Sequence, residues 1–194
     1  MKLLEEYIQK HGRYFDGGIV NVSSFLNHRM DVRLIDAIGE DFYEHFRSFE
    51  PTLILTVESS GIGIACMAAR YFDIPVLFAK KSKAKNMAGD IYTAPVASYT
   101  KGSINYISVC TDFLNPQERV LIIDDFLAEG NAVNGLLSIC DQAKADVVGV
   151  GICIEKYFQK GGRELREKGV NLYSQAMLSL DENGKIGFVD GENL

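Results

Sequence analysis

Cysteine is sparse. Cys66, Cys110, Cys140 and Cys153 are widely spaced and form no C-x-x-C pair, which argues against both a structural zinc site and a disulfide framework. Their apolar neighbours point instead to buried, reduced thiols in a cytoplasmic protein. Long apolar runs are also missing: a stretch such as 147–154 falls far short of the roughly 20 residues that cross a bilayer. The opening MKLLEEYIQK sets Glu5 and Glu6 directly after two leucines, so no signal-peptide core forms, and no membrane association is expected. Positive charge is in deficit, with 20 Lys and Arg against 26 Asp and Glu for a net charge of −6, which opposes a broad nucleic-acid footprint. The three histidines, His11, His28 and His45, are too dispersed to suggest a catalytic dyad. No internal repeat or low-complexity linker divides the chain.

What remains is an ordinary globular composition, 47% hydrophobic and 24% charged over 194 residues. That length favours one domain, 1–194, able to bury about 70% of its unfolded surface without a disulfide or metal staple. Leu4, Tyr7, Ile8 and His11 share one helical face, ended by Gly12. A Gly/Asn/Ser-rich segment from Asp16 to His28 follows, and the spacing of Leu34, Ile35, Ile38, Phe42 and Phe46 predicts a second helix. Beyond Pro51 the pattern alternates. Strands are expected over 52–57, 75–79, 91–98, 104–110, 119–124 and 147–154, with a weaker one near 170–173; Thr100-Lys101-Gly102 makes a turn between the third and fourth of these. Helices are expected over 64–72, 132–143 and 161–168. Strands apolar on both faces and alternating with helices predict an α/β fold: a mostly parallel central sheet flanked by helices, with residues 1–50 as a small N-terminal appendage. Ligands of such sheets sit at the carboxyl ends of the strands, near a topological switch point. The segments there are ESSGIG, KKSKAK, DDFLAEGNA and EKYF, all polar.

The most informative segment is VLIIDDFLAEGNA, 120–132. Two adjacent carboxylates, Asp124 and Asp125, end an apolar strand although like charges resist burial together. Sugar hydroxyls or cations in front of them would make the arrangement stable. Just downstream, Gly130 permits a tight turn that aims several amides at one point, at the positive end of a helix dipole, which suits a phosphate. A sugar phosphate satisfies both halves of the segment; the bland alternative is that the two acids only cap the next helix.

VLIIDDFLAEG resembles the phosphoribosyl-pyrophosphate (PRPP) signature of the type I phosphoribosyltransferases. VSSFLNH (22–28), ESSGI (58–62), the VLFAKK region and IEK-x-FQ (154–159) extend the resemblance, in order and spacing, to the bacterial xanthine phosphoribosyltransferases over nearly the whole chain. The resemblance implies transfer of the 5-phosphoribosyl group from PRPP to xanthine, giving xanthosine monophosphate and pyrophosphate in purine salvage. It implies that Asp124 and Asp125 hold the ribose hydroxyls and stabilise charge on the sugar. Ala128, Glu129, Gly130, Asn131 and Ala132 then bind the 5′-phosphate, and residues 1–50 form a base-binding hood. Magnesium arrives with PRPP and has no protein side chain assigned as a ligand. A homodimer in the cytoplasm is also implied. Many relatives carry Thr-Gly or Asn-Gly where this chain has Glu129-Gly130, so binding through backbone amides, with the Glu129 side chain turned to solvent, is expected.

Further residues follow from the chemistry required. Ser59, Ser60 and Gly61 offer amides and hydroxyls to a pyrophosphate, although Ser-Ser-Gly is also an ordinary N-cap. Lys80, Lys81, Lys83 and Lys85 suit either a solvated loop or a lid that attracts PRPP and excludes water, with Lys81 the first candidate for the pyrophosphate. Xanthine differs from guanine by a carbonyl at the two-position, which needs a donor. Asn27 matches a base-contacting Asn of the family, though Asn also forms turns. Val20 matches a leucine of the pocket wall, and Asn21 stands beside it. Lys156, at the end of an apolar strand, is placed to donate to the six-position carbonyl, unless Glu155 ties it up in a surface bridge. Tyr157 or Phe158 stacks on the purine or joins the core. Guanine or hypoxanthine as substrate, a non-catalytic PRPP-binding regulator, and a generic nucleotide-binding protein are the competing functions.

Overall fold

The computed structural model describes residues 1–15, 17–81, 90–98 and 103–189. Asp16, Lys83, Lys85 and the Thr100-Lys101-Gly102 turn lie outside the described residues, and with them most of the expected lid.

Helix α1 (Lys2–His11) buries Leu4 and Ile8 and stops at Gly12. The next segment, for which the sequence gives composition but no element, contains a hairpin of β1 (Arg13–Phe15) and β2 (Ile19–Asn21) and then a π-helical turn, Ser23–Asn27. Gly17 and Gly18 turn the hairpin with φ of 78° and 72°, a region that only glycine enters without steric cost. Helix α2 (Val32–Phe46) begins at Asp31, whose carboxylate accepts from the Arg33 and Leu34 amides, and its five expected apolar positions are all buried.

The remaining elements are β3 (Leu53–Val57), α3 (Ser60–Phe72), β4 (Val76–Ala79), β5 (Ile91–Ser98), β6 (Ser103–Cys110), β7 (Arg119–Leu127), α4 (Asn131–Ala143), β8 (Asp146–Lys156), α5 (Lys160–Glu167), β9 (Leu172–Leu180) and β10 (Ile186–Phe188). Six strands form one sheet in the order β10-β9-β8-β7-β3-β4, parallel except for the edge strand β10. Strands β5 and β6 form a separate antiparallel hairpin, joined to the main sheet's edge by a single antiparallel bridge between Ser108 and Lys80, just past β4. No helix among the described residues is long and apolar enough to cross a membrane.

Alternation along the strands builds two cores. Ile54, Leu121 and Ile123 face α1, α2 and α3, whereas Leu55, Val120 and Ile122 face α4, Leu165 of α5 and the β5–β6 hairpin. Helix α2 lies close to the sheet because β8 carries Gly149 and Gly151 beneath it; a Cβ at Gly151 would meet the Phe42 ring at 2.8 Å.

Two strands run longer than their local sequence suggests. Strand β7 extends through the acidic pair to Leu127, because β8 continues to pair with it as far as Leu127↔Glu155. Its pairing with β3 ends at Leu55↔Ile122, so residues 124–127 overhang that neighbour with one edge open. Strand β9 reaches Leu180, held by β8 on one side and β10 on the other. Of the cysteines, Cys110, Cys140 and Cys153 are buried but Cys66 is exposed. The buried face of α3 is Gly61, Ile64, Ala65, Ala68 and Ala69, and Cys66 falls off that arc.

Candidate active site

The chain direction across the sheet reverses between β3 and β7, since β4 lies outside β3 while β8 and β9 continue beyond β7. A parallel sheet opens a crevice at such a point, past the carboxyl ends of the two strands. Here the end of β3 leads into Glu58, Ser59 and α3, and the overhanging end of β7 presents Asp124 and Asp125.

Both acids are nearly buried, at 4% and 8% exposure. The Asp124 carboxylate accepts the Asp125 amide at 3.0 Å. Its pKa stands well above the usual carboxylate range, first because burial penalises the charge and then because Asp125 repels it; Lys81 partly opposes the shift. Neither acid serves as the α4 cap: that helix starts from Gly130, with φ 82° and no side-chain cap bond. The helix-capping alternative therefore fails, because the pair stands within the strand.

One cavity of about 370 Å³ gathers Glu58, Ser60, Lys81, Asp124, Asp125 and Ala132, with Val96, Asn105 and Ile107 of the β5–β6 hairpin along its side. A second, of about 330 Å³, is lined by residues 126–133 with Val96, Ala97, Lys156 and Gln159. The two adjoin at Val96 and Ala132, so the acids, the loop 128–132, the start of α3, Lys81 and Lys156 all lie around this crevice. Helix α3 begins at Ser60, four residues before the helical run expected from apolar spacing, which puts Ser60 and Gly61 in its first turn. Gly61 allows this close approach, as a Cβ there would stand 3.2 Å from the Asp124 carboxylate and collide with the Thr56 hydroxyl. Ser59 occupies the N-cap position but makes no side-chain cap bond. The Glu58–Ser59 peptide is cis. Glu58 ties this turn to the end of β4 by accepting from the Lys81 amide.

Loop 128–132 rests against α5. The Gly161 amide donates to the Ala128 carbonyl at 3.1 Å, and the Asn131 side chain is turned toward the hairpin, donating to the Ala97 carbonyl at 3.1 Å. Glu129 is half-buried as a residue, with Gly161 lying directly behind its backbone.

The N-terminal segment reaches the crevice through Asn27, whose amide donates to the Asp125 carboxylate at 3.0 Å. Asn21 is turned into its own loop, accepting from the Ser23 amide and hydroxyl. Val20 is 8% exposed, packs in the core beside α1 and α2, and lines neither cavity. Lys156 is half-buried, and desolvation lowers its pKa below the ordinary lysine value. The surface bridge from Glu155 to Lys156 does not form. Glu155 is buried on the other side of β8 and pairs with Arg166 instead.

Tyr157 and Phe158 line a separate groove with Arg163 and Arg166, and Phe158 packs against Gly18 of the N-terminal hairpin. The aromatic ring in the crevice is Phe126, three residues before Glu129 and alongside Lys156. In sequence it reads as part of the spacer after the acids; only the continued strand turns it toward this space. Gln159 is the other residue passed over, lining the same cavity with its amide oxygen buried and without a partner among the described residues. Among the described residues no three His, Cys, Asp or Glu side chains group as a metal site.

Comparison with known proteins agrees with this geometry. Residues 22–170 match the phosphoribosyl transferase domain. The chain is 48% identical to the xanthine phosphoribosyltransferase of Ruminiclostridium cellulolyticum over 190 residues, covering 98% of this chain and 100% of that protein. It is 47% identical to that of Latilactobacillus sakei, covering 100% and 99%. Among solved structures, adenine phosphoribosyltransferase of Giardia lamblia with 9-deazaadenine superposes with a TM-score of 0.76 at 19% identity, covering 90% of this chain and 97% of that one. The Trypanosoma brucei enzyme gives 0.75 at 20%, covering 98% and 82%. With an acidic pair and an amide-rich loop flanking the switch point, and a match that spans most of its length, the chain belongs to the phosphoribosyltransferase family, with the type I fold.

Proposed function

We propose that the protein is a purine-salvage enzyme that transfers the 5-phosphoribosyl group of PRPP to xanthine. The observation that carries the reading is the pair Asp124-Asp125, nearly buried with no cation paired to either among the described residues, between an α-helical N-terminus on each side and Lys81 in front. Carboxylates so placed gain from a cationic or hydroxyl-bearing partner. In the reaction the bond from the anomeric carbon to pyrophosphate breaks and its electron pair leaves with pyrophosphate, while a purine nitrogen supplies the pair for the new bond. The sugar is positively charged in between. Asp124 and Asp125 hold the ribose hydroxyls and stabilise that charge. Ala128, Glu129, Gly130, Asn131 and Ala132 bind the 5′-phosphate through their amides, fixing the sugar in line. Ser59, Ser60, Gly61 and Lys81 take the pyrophosphate. PRPP enters as its magnesium complex, and the cation offsets the charge of the leaving group.

Xanthine lies beyond the ribose, between Phe126 and the N-terminal segment. Lys156 donates to its six-position carbonyl. The Asn27 amide has a second N–H besides the one held by Asp125, and this serves the two-position carbonyl. Residues 1–50 act as the hood on the base, with Val20 supporting its wall from the core. Cytoplasmic location and a homodimer belong to the same reading. Tyr14, Phe15 and Ile19 of the hood hairpin, with Phe78 and Tyr106 near Lys81, are large apolar side chains left exposed for such an interface.

The test is pyrophosphate release with magnesium and PRPP and, separately, xanthine, guanine and hypoxanthine. Release with xanthine far above the other two is expected. Preference for guanine or hypoxanthine would overturn the specificity, and PRPP binding without turnover would mark a regulator.

A further inference from the structure

Glu155 is an acid buried in β8, next to Lys156, with no substrate contact of its own assigned above. Its side chain is 1% exposed, and both its oxygens meet the Arg166 guanidinium, at 2.7 Å each; Ser174 donates a further hydrogen bond. Such a bidentate pair is rigid, because the planar guanidinium fixes direction as well as distance. Gly162 makes room for it, since a Cβ there would stand 2.8 Å from Arg166 and closer still to Glu155. The pair therefore locks α5 to β8.

Both ends of that lock reach the crevice. Neighbouring strand residues point to opposite faces, so a fixed Glu155 also fixes the origin of the Lys156 side chain. At the start of α5, the Gly161 amide donates to the Ala128 carbonyl, and the Gly161 Cα lies 3.2 Å from where a Cβ on Gly130 would stand. A Cβ on Gly161 would come within 2.6 Å of the Gly130 nitrogen. The loop is thus shaped from behind by a helix that is anchored by the buried Leu165 and oriented by the Glu155–Arg166 ion pair.

We propose that Arg166, paired with Glu155, is a positioning residue for the 5′-phosphate loop: it presses Gly161 against residues 128–130 and so keeps their amides in the array that receives PRPP. The inference rests on reading 128–132 as that loop. Arg166→Met and Arg166→Lys are compared by steady-state kinetics at a temperature where each is fully folded. The KM for PRPP rises about tenfold or more in the Met variant, as expected for sub-ångström misplacement of a binding group. The kcat at saturating PRPP stays within about threefold, and the KM for xanthine rises far less than that for PRPP because the pairing of β8 with β7 and β9 still holds Lys156 in place; Lys restores part of the loss. Gly161→Ala, which leaves the ion pair in place, shows the same selective rise. Should Arg166→Met fail to fold, Glu155→Gln with Arg166→Met removes both charges and is measured instead. An unchanged PRPP KM in a folded variant with only a lower Tm assigns the pair a purely structural role and overturns the proposal. Gly130→Ala separates the two readings. If it leaves the PRPP KM unchanged, the loop assignment fails and the inference with it; if it raises the KM while the Arg166 variants do not, only the role of Arg166 is refuted.

Discussion

Replacing Asp124 by Asn should damage the enzyme and strengthen the protein at once. The residue is 4% exposed, its carboxylate accepts from the Asp125 amide, and it stands next to a second carboxylate. Asn keeps the shape and can accept that same bond through its oxygen. What disappears is a buried charge, and relieving such a group is worth about 1–3 kcal/mol. At roughly 2–4 °C per kcal/mol for a domain of about this size, Tm at pH near 7.5 rises by about 2–12 °C. The sign follows from the raised pKa: the folded state favours the protonated acid, so that contribution is present at low pH and is lost as pH rises through the folded-state pKa. The gain in the Asn variant is accordingly largest above that pKa and vanishes below the ordinary carboxylate value near 4, where the wild-type acid is protonated whether folded or not. Turnover falls by about 10²–10³ through loss of charge stabilisation on the ribose. Calorimetric melts of the ligand-free protein across pH, with turnover measured alongside, supply the test. A Tm unchanged or lower at pH 7.5, or a gain that grows toward acid, would refute the account of Asp124 as an ill-tolerated buried charge retained for catalysis.

Lys156 must be protonated to donate to the purine, and its pKa is lowered by desolvation, so kcat/KM falls with rising pH earlier than an ordinary lysine dictates. In Lys156→Arg, measured with the same substrates so that their own titration cancels, that alkaline loss recedes. Asn27→Ala should weaken xanthine by about 5- to 100-fold, the cost of an unpaired buried carbonyl, and hypoxanthine, which has no carbonyl at that position, by much less; equal losses in kcat/KM would remove Asn27 from base recognition. Gly151→Ala should cost about 1–3 kcal/mol in urea unfolding, because the added methyl presses on Phe42.

Between Thr52 and Tyr173, element types and their order were legible because they depend on local spacing, whereas the three-residue strands β1, β2 and β10 are too short to show a period. The α2 apolar positions, the alternating strands and the glycine at the α4 N-cap are each set by residues a few positions apart. The acidic pair was equally legible, since two carboxylates at the end of an apolar run violate the pattern around them. Boundaries were less so. Strand β7 continues past Asp124 only because β8 offers it partners, and β9 is lengthened by the short strand β10, whose own signal is weak. Helix α3 starts early because Gly61 can sit against Thr56 and Asp124, a contact that the sequence around Gly61 does not announce.

Sequence alone thus determined which loops carry polar chemistry at the sheet's carboxyl edge, because period and residue type are local properties. Only the tertiary structure decided which distant groups meet there. Asn27 reaches Asp125 across 98 positions of sequence, Glu155 pairs with Arg166 rather than with adjacent Lys156, and Phe126 rather than Tyr157 enters the crevice. Strand register and helix docking govern these pairings, and both are set by the summed packing of the whole sheet.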